Sequence, residues 1–204
     1  MLYVALLAGF LVGCSGDHTE GKTEAEVREV TETPAPTPAT TSGKMVNADN
    51  TNSKLEWVGA KVTNSHPGGF NKFTVEGTIE GNRMIGVKTE IDLASLYSDS
   101  EKLTGHLKDE DFFNVSAFTT ATFTSTEIKS GGADGATHTV VGVLDLHGVQ
   151  KELSFPATID VSPAGATLDA EFSINRNDWG IVYPGKPDDL IKEKVLIKLD
   201  INFS

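Results

Sequence analysis

The chain contains 204 residues, which is enough for one domain with appended segments. Its formal net charge is −12, which argues against nucleic-acid binding, because that function needs a basic patch or stripe. The one cysteine, Cys14, excludes an intramolecular disulfide and any zinc or iron–sulfur site built on several thiolates.

The first 13 residues, MLYVALLAGFLVG, are apolar but too few to span a bilayer as a helix. We interpret residues 1–13 as a signal peptide. Its end, LVGC (Leu11–Cys14), resembles the bacterial lipobox, in which the cysteine becomes the lipidated first residue of the mature protein. A cleaved secretory signal with an incidental cysteine is the alternative. Because Ser15 rather than aspartate follows the cysteine, we expect an outer-membrane lipoprotein that faces the periplasm.

Residues 14–50 show almost no apolar periodicity. The first part is acidic, and the second contains TPAPTPATTSG, which is rich in proline and threonine. Such a composition buries too little apolar surface to fold. The sequence therefore predicts a disordered tether over residues 14–50 and a folded domain over residues 51–204.

From about residue 53 onwards, apolar and polar residues alternate with a period of two, which is the pattern of a strand with one face on a core. Turn signals such as Gly81-Asn82 and His147-Gly148 separate eight such segments. The segments are KLEWVGAKV, KFTVEGTIEG, GVKTEIDL, TATFTSTEI, TVVGVLDL, ELSFPATIDV, ATLDAEFSINR and KVLIKLDINF. This number of strands predicts an all-β protein, either a closed antiparallel barrel or a sandwich.

One short helix is predicted around Ser100–Lys108, because Leu103 and Leu107 form an apolar stripe and a serine can cap its start. Its end brings His106 close to the acidic residues 109–111. This cluster is either a metal site or the polar rim of an apolar pocket. The metal site is the weaker interpretation, since no second histidine stands at ligand spacing.

Two adjacent aromatic residues, Phe112 and Phe113, follow the acidic cluster. In an extended segment, neighbouring side chains point to opposite faces. We therefore expect one ring to pack in the core and the other to close over a pocket.

Catalytic motifs do not occur in the sequence: there is no G-x-S-x-G, no H-E-x-x-H and no phosphate-binding glycine loop with a lysine. We expect no catalytic residue, no metal and no cofactor. Arg176 follows a strand and has two interpretations. It either binds an anionic head group through bidentate hydrogen bonds or, as we favour, clamps the structure by pairing with an acid such as Asp178. Trp179 is expected to plug the barrel or form a pocket wall.

The chain from about Asn52 to Ser204 resembles the YceI-like family of lipid-binding (polyisoprenoid-binding) barrels. The matching pieces, in the expected order, are LEWVGAKVTNSHPGGFNKFTVEGTIEG, IDLASL, KLTGHLKDEDFFNVSAFTTATF, VVGVLDLHGVQKELSF and FSINRNDWGI. The resemblance implies one antiparallel lipocalin-like barrel of about eight strands. It also implies an elongated apolar cavity for an isoprenoid or fatty-acyl chain, export from the cytoplasm, and no established catalytic residues.

We therefore expect non-catalytic binding of a long-chain amphiphilic lipid, for transport or storage in the cell envelope. The ligand class is a polyisoprenoid, an isoprenoid quinone or a fatty acid derivative. The membrane that holds the lipid anchor is the second expected partner, and a homodimer is left open. An interaction protein with a filled barrel and an enzyme that acts on a barrel-bound lipid are the alternatives.

The candidate site residues are apolar side chains on the predicted inner faces and a few polar groups near turns. The candidate cavity residues are Trp57, Phe73, Val75, Ile91, Leu103, Leu107, Phe112, Phe113, Phe123, Leu144, Phe155, Phe172 and Trp179. Arg176, His66 and His147 are the candidate head-group residues, and Cys14 is the candidate lipidation site.

Overall fold

A computed structural model describes residues 18–30 and 43–204 of the chain. These residues form fourteen strands, one α-helix and three short 3₁₀ turns. The strands are β1 (Glu26–Glu29), β2 (Lys44–Asp49), β3 (Lys54–Ala60), β4 (Ser65–Phe70), β5 (Phe73–Glu80), β6 (Arg83–Asp92), β7 (Leu96–Ser98), β8 (Thr120–Ser130), β9 (His138–Leu146), β10 (Val149–Ser162), β11 (Gly165–Asn175), β12 (Gly185–Lys186), β13 (Asp189–Leu190) and β14 (Lys194–Phe203). The helix is α1 (Glu101–Lys108).

One antiparallel sheet contains nearly all of these strands, in the order β2-β5-β6-β8-β9-β10-β11-β14-β3-β4-β7, and β1 adds to β10. The sheet curls round until its first strand meets the end of β14. There, Ser204 N donates to Asn47 O at 2.9 Å and Asn47 N donates to Ser204 O at 3.2 Å. The fold is therefore an all-β, lipocalin-like antiparallel barrel, as predicted.

The sheet contains more strands than the eight expected. All eight alternating segments form strands, because each places one apolar face on the interior. The additional strands are two to six residues long, and most of them carry little alternation. The segment SHPGGF of β4, for example, contains proline and two glycines, and it forms a strand because β3 and β7 pair with its two edges.

The predicted tether over residues 14–50 is wrong for two segments. Glu26–Glu29 forms β1, which pairs with residues 151–154 of β10. Lys44–Asp49 forms β2, which pairs with β5 and buries Val46 and Ala48 in the core. The predicted signal peptide and the lipidation site Cys14 lie outside the described residues.

The predicted helix is confirmed as α1. Its N-cap is Ser100, whose hydroxyl accepts from Leu103 N at 3.5 Å, and its last turn carries His106 and Lys108. Leu107 is buried, so the apolar stripe faces the barrel. Among the described residues, no helix has the length and apolar character that crossing a membrane requires.

One end of the barrel is packed solid, and we call it the filled end. Its interior consists of buried side chains that contact one another and do not border the cavity described below. Representative members are Val140, Ile159, Leu168, Ile201 and Phe203, each less than 9% exposed.

Candidate functional site

A cavity of about 860 Å³ occupies the barrel beyond the filled end. Its volume lies within the range of ligand-binding pockets in proteins. Most of its wall is apolar and comes from the inner faces of the strands, including Leu55, Ile91, Ala121, Phe123, Leu144, Leu153, Phe155, Phe172, Ile174, Val195, Ile197 and Leu199. The interior therefore holds free apolar space, which a filled barrel would lack.

Individual strands extend along both the filled end and the cavity, so one strand contributes side chains to each. In β10, Leu153 and Phe155 border the cavity, whereas Ile159 packs in the filled end. In β11, Phe172 borders the cavity and Leu168 does not. The cavity is thus closed at one end by packed side chains and continues towards the other.

Aromatic rings cover the other end of the cavity. His106 lies edge-on to both Phe112 and Tyr183, with ring centroids 5.1 Å apart in each case. The centroids of Phe112 and Tyr183 are also 5.1 Å apart. Together with Leu103 and Leu107 of α1, these rings form a cover that joins the helix to the loop after β11.

Phe112 and Phe113 both border the cavity, contrary to the expectation of opposite directions. The physical reason is that the segment is a turn rather than an extended strand. Phe112 N donates to Asp109 O at 3.1 Å, and Phe113 N donates to Leu107 O at 3.1 Å. Phe112 is buried, and Phe113 is half-buried with its ring edge-on to Phe70 at 6.3 Å.

Polar pairs surround the cover and form the rim of the cavity. Lys61 Nζ lies 2.6 Å from Asp189 Oδ2, and His66 Nδ1 lies 3.0 Å from Asp99 Oδ1. The hydrogen bond from Lys61, together with those from Thr63, holds the pKa of Asp189 below its usual value. His66 and Asp189 both border the cavity.

The acidic cluster after α1 belongs to this rim. His106 Nε2 lies 2.9 Å from Asp111 Oδ2, and both side chains are substantially exposed. Within residues 18–30 and 43–204, no group of three or more His, Cys, Asp and Glu side chains is placed to hold a metal. The geometry favours the rim interpretation of this segment over the metal site.

Arg176 acts as a clamp, but through backbone carbonyls rather than a carboxylate. Its guanidinium donates to the carbonyls of Lys192, Ile181 and Ile191. Burial lowers the pKa of Arg176 below its usual value, and Glu193 partly offsets that effect. The side chain therefore fixes the segment around residues 181–192 to the end of β11, and Arg176 also borders the cavity.

The other predicted residues fall into two groups. Trp57, Ile91, Leu103, Leu107, Phe123, Leu144, Phe155 and Phe172 border the cavity, as do both rings of the phenylalanine pair. Phe73, Val75 and Trp179 do not border it, so their placement on the cavity wall is wrong. Phe73 and Val75 are buried in the core, because they lie on the inward face of β5.

Trp179 and His147 do not border the cavity, and they contact each other. Trp179 is fully buried, and its Nε1 donates to Leu144 O at 3.3 Å. His147 adopts a positive φ of 55° in the turn before Gly148, and its Nδ1 donates to Trp179 O at 3.2 Å. His147 therefore does not border the cavity.

Trp57 lies on the cavity wall because β4 leaves space for its ring. A Cβ atom on Gly68 would lie 2.2 Å from Trp57 Cζ2 and 2.3 Å from Tyr97 O. Only glycine fits at position 68, and this explains why the strand SHPGGF contains a glycine there.

Sequence reasoning missed part of the cover. Ile181, Tyr183 and Ile191 border the cavity from a segment rich in proline, glycine and aspartate. This segment lacks strand periodicity, so the pattern used for the barrel carries no signal there. The short strands β12 and β13 pair with each other, Gly185 opposite Leu190, and this pairing sets the shape of the segment.

Comparisons with known proteins agree with this architecture. The model of the YceI-like domain matches residues 46–203. A UPF0312 protein of Pseudomonas fluorescens is 36% identical over 105 residues, covering 48% of this chain and 54% of that protein. A UPF0312 protein of Pseudomonas putida is 36% identical over 126 residues, covering 58% and 65%. The matches thus span about half to two thirds of these relatives.

Solved structures share the fold at low sequence identity. BcnA from Burkholderia cenocepacia has a TM-score of 0.68 and 23% identity, covering 76% of this chain and 98% of that one. A domain from Saccharophagus degradans, described as polyisoprenoid binding, has a TM-score of 0.59 and 18% identity, covering 79% and 99%. Because the family model matches most of the chain and the barrel carries the cavity just described, this chain belongs to the YceI-like family.

Proposed function

We propose that the chain binds a long-chain amphiphilic lipid in the barrel, without catalysis, and that it transports or stores this lipid in the cell envelope. The ligand class is a polyisoprenoid, an isoprenoid quinone or a fatty acid derivative. The apolar cavity that ends blindly at the filled end carries the proposal. The description of the Saccharophagus degradans domain supports the isoprenoid class.

The cavity offers a physical reason for binding a chain-like ligand. Each CH₂ group that leaves water gains about 0.8 kcal/mol. A preformed apolar space collects this gain without first ordering a loose polypeptide segment. The lipid tail would lie among Phe123, Phe155 and Phe172, and its head would lie at the rim with Lys61 and His66.

The position in the cell is a second part of the proposal. Lipidation at Cys14 would hold the barrel at the outer membrane, facing the periplasm, next to the membranes that contain its ligand. Labelling with a radioactive fatty acid tests this step, and the Cys14→Ser variant must lose the label.

Native mass spectrometry tests ligand binding. The chain from Ser15 to Ser204, which contains every described residue, is purified from a bacterial host and then extracted with organic solvent for lipid identification. We expect a stoichiometric long-chain species. A mass without ligand, together with no uptake from a lipid extract, would favour the interaction-protein alternative.

A matched pair of variants links the ligand to the cavity. Ala121 is buried and borders the cavity, so Ala121→Phe places a ring in the free space. Ala164 is exposed in the turn between β10 and β11, so Ala164→Phe adds the same ring outside the barrel. We expect the co-purified lipid to fall only in Ala121→Phe; equal retention in both variants would place the ligand elsewhere.

A further inference from the structure

Among residues 18–30 and 43–204, most of the large apolar side chains that are exposed lie at the rim of the cavity. Among the described residues, four such side chains are exposed: Met45 by 54%, Val62 by 69%, Val182 by 62% and Leu190 by 50%. Met45 lies on β2, whereas the other three lie on the segments that border the cavity. We call Val62, Val182 and Leu190 the mouth surface.

Backbone hydrogen bonds join the segments that carry the mouth surface. Val62 N donates to Leu190 O at 3.1 Å, and Ile191 N donates to Pro184 O at 3.0 Å. Direct neighbours of the mouth surface, such as Lys61, Ile181 and Ile191, border the cavity. The apolar tips therefore stand around the opening through which a ligand would enter.

The charge around the cavity is opposite to that of the whole protein. Four lysines and one arginine border the cavity, against two aspartates, which leaves a net charge of +3. The whole chain has a net charge of −12. Lys61, Lys186 and Lys192 border the cavity on the segments that carry the mouth surface, whereas the acidic cluster of the rim follows α1. These lysines are complementary to the phosphates of a membrane surface.

We propose that the mouth surface docks on a phospholipid bilayer, and that lipid then passes between the bilayer and the cavity without crossing water. Val62, Val182 and Leu190 enter the interfacial region, and the lysines of the rim contact lipid phosphates. The transfer step rests on the lipid binding proposed above. The docking step does not, and it is measured separately.

Vesicle flotation tests the docking. The probe is the chain from Ser15 to Ser204, so that neither the apolar leader nor an acyl anchor contributes, with vesicles of equal parts phosphatidylcholine and phosphatidylglycerol. The test variant combines Val62→Asp, Val182→Asp and Leu190→Asp, and Met45→Asp is the control for an exposed apolar side chain elsewhere. We expect about a tenfold loss of vesicle-bound protein in the triple variant and no loss in the control.

Three results overturn the docking proposal: no flotation of the parent chain, equal flotation of the triple variant, or equal losses in the triple variant and Met45→Asp. Thermal unfolding of each variant shows that it is folded. Native mass spectrometry of lipid loaded from detergent micelles separates the two proposals. A parent chain that floats but holds no lipid contradicts the proposed function and leaves the docking intact.

A second inference comes from the barrel wall. β10 and β11 pair only between residues 158–162 and 165–169. Beyond that point the two strands separate, and residues 23–29 fill the gap. Glu26–Glu29 pairs with β10, while Ala25 N donates to Ser173 O and Ser173 N donates to Thr23 O, both at 2.9 Å.

This gap opens directly onto the cavity wall. Leu153 on β10 and Phe172 on β11 border the cavity, and Ala25 is only 5% exposed between those strands. Residues 23–29 lie outside residues 46–203, which match the family domain. A segment that precedes the domain thus completes the barrel wall between two strands that border the cavity.

We infer that the gap between β10 and β11 is a strand-binding site, occupied in this chain by residues 23–29. Backbone hydrogen bonds to β10 and β11 give such a site its affinity. Because Ala25 is buried between these strands, a small side chain is favoured at its position. The occupant is short and its charged side chains are exposed, so it leaves the site more readily than the long strands do.

Peptide binding tests this inference. Ala25→Pro removes the N–H that donates to Ser173 and should free the site. A fluorescent peptide of residues 18–30 should then bind to Ala25→Pro, and a scrambled peptide should not. In the same chain, a disulfide between Glu26→Cys and Ser154→Cys, which face each other, should prevent peptide binding until it is reduced. Equal binding of both peptides, or binding that the disulfide does not block, overturns the inference.

Discussion

The filled end and the cavity half of the barrel are built from the same strands but differ in what occupies the interior. In the filled end, inward side chains such as Leu168 and Ile201, which are direct partners on neighbouring strands, belong to a continuous cluster of buried residues. In the cavity half, Phe155 and Phe172 stack on each other along the wall, with ring centroids 4.3 Å apart, and leave the centre free. A barrel of about eight strands can either be filled by side chains or hold one small ligand. The larger sheet of this chain contains both arrangements.

The largest expected effect compares two buried leucines. Leu168 is 2% exposed in the filled end, and Leu153 is 3% exposed on the cavity wall. Leucine-to-alanine changes in cores cost about 2–5 kcal/mol, and the cost rises with the contacts that are lost. We expect Leu168→Ala to lie near the top of that range and Leu153→Ala near the bottom, measured by urea unfolding. Equal losses would mean that the cavity is packed in solution.

The next largest effect concerns the Arg176 clamp, whose hydrogen bonds stabilise the part of the barrel that contains the cavity. Arg176→Ala leaves three backbone carbonyls without their donor, so we expect a loss of about 3 kcal/mol in the free energy of unfolding. The control is Arg83→Ala, because Arg83 is exposed and its contact with Glu80 is 3.3 Å long. That change should cost less than about 1 kcal/mol. Similar losses in both variants would show that the clamp contributes nothing beyond an ordinary surface pair.

A smaller effect comes from added volume. Ala166 is 3% exposed in the filled end, and Ala121 is 1% exposed on the cavity wall. Ala166→Leu should cost about 1–3 kcal/mol, because overpacking forces neighbouring side chains to move. Ala121→Leu can extend into free space, so it should cost less while reducing lipid uptake. If Ala121→Leu proves the more destabilising of the two by thermal unfolding, the interior beside Ala121 is not free.

The smallest effect lies on the outer surface of the filled end. Asp169 and Asp200 are direct partners on β11 and β14, and burial together with Asp200 raises the pKa of Asp169. An acid with a raised folded pKa destabilises the fold when ionised, and this penalty disappears as the pH falls through that pKa. Asp169→Asn should therefore stabilise the protein by about 0.2–1 kcal/mol at pH 7, and this gain should vanish once the pH lies well below 3.8.

Thermal unfolding at several pH values measures this difference. Asp160→Asn is the control, because Asp160 faces the uncharged Thr167. High salt should reduce the gain from Asp169→Asn. A gain that persists at low pH would contradict the repulsion between Asp169 and Asp200.

The sequence predicted the barrel well because periodicity records which face of a strand is buried. It did not distinguish the two halves, since Ile159 and Phe155 follow the same alternation although only Phe155 borders the cavity. Whether an inward side chain reaches its opposite neighbour depends on the curvature of the sheet, which period-two alternation does not encode. The short strands were missed for another reason: β1 and β4 form because of their partners and not because of their own residues.

Because the filled end closes one end of the cavity, the two ends of the cavity are not equivalent. While residues 23–29 remain in the wall, a ligand would enter and leave past the cover beside α1. A bound lipid would then keep its head at the rim and leave head first. Two such carriers could exchange a lipid only by meeting rim to rim, so the orientation of each barrel on its membrane would decide which handovers are geometrically allowed.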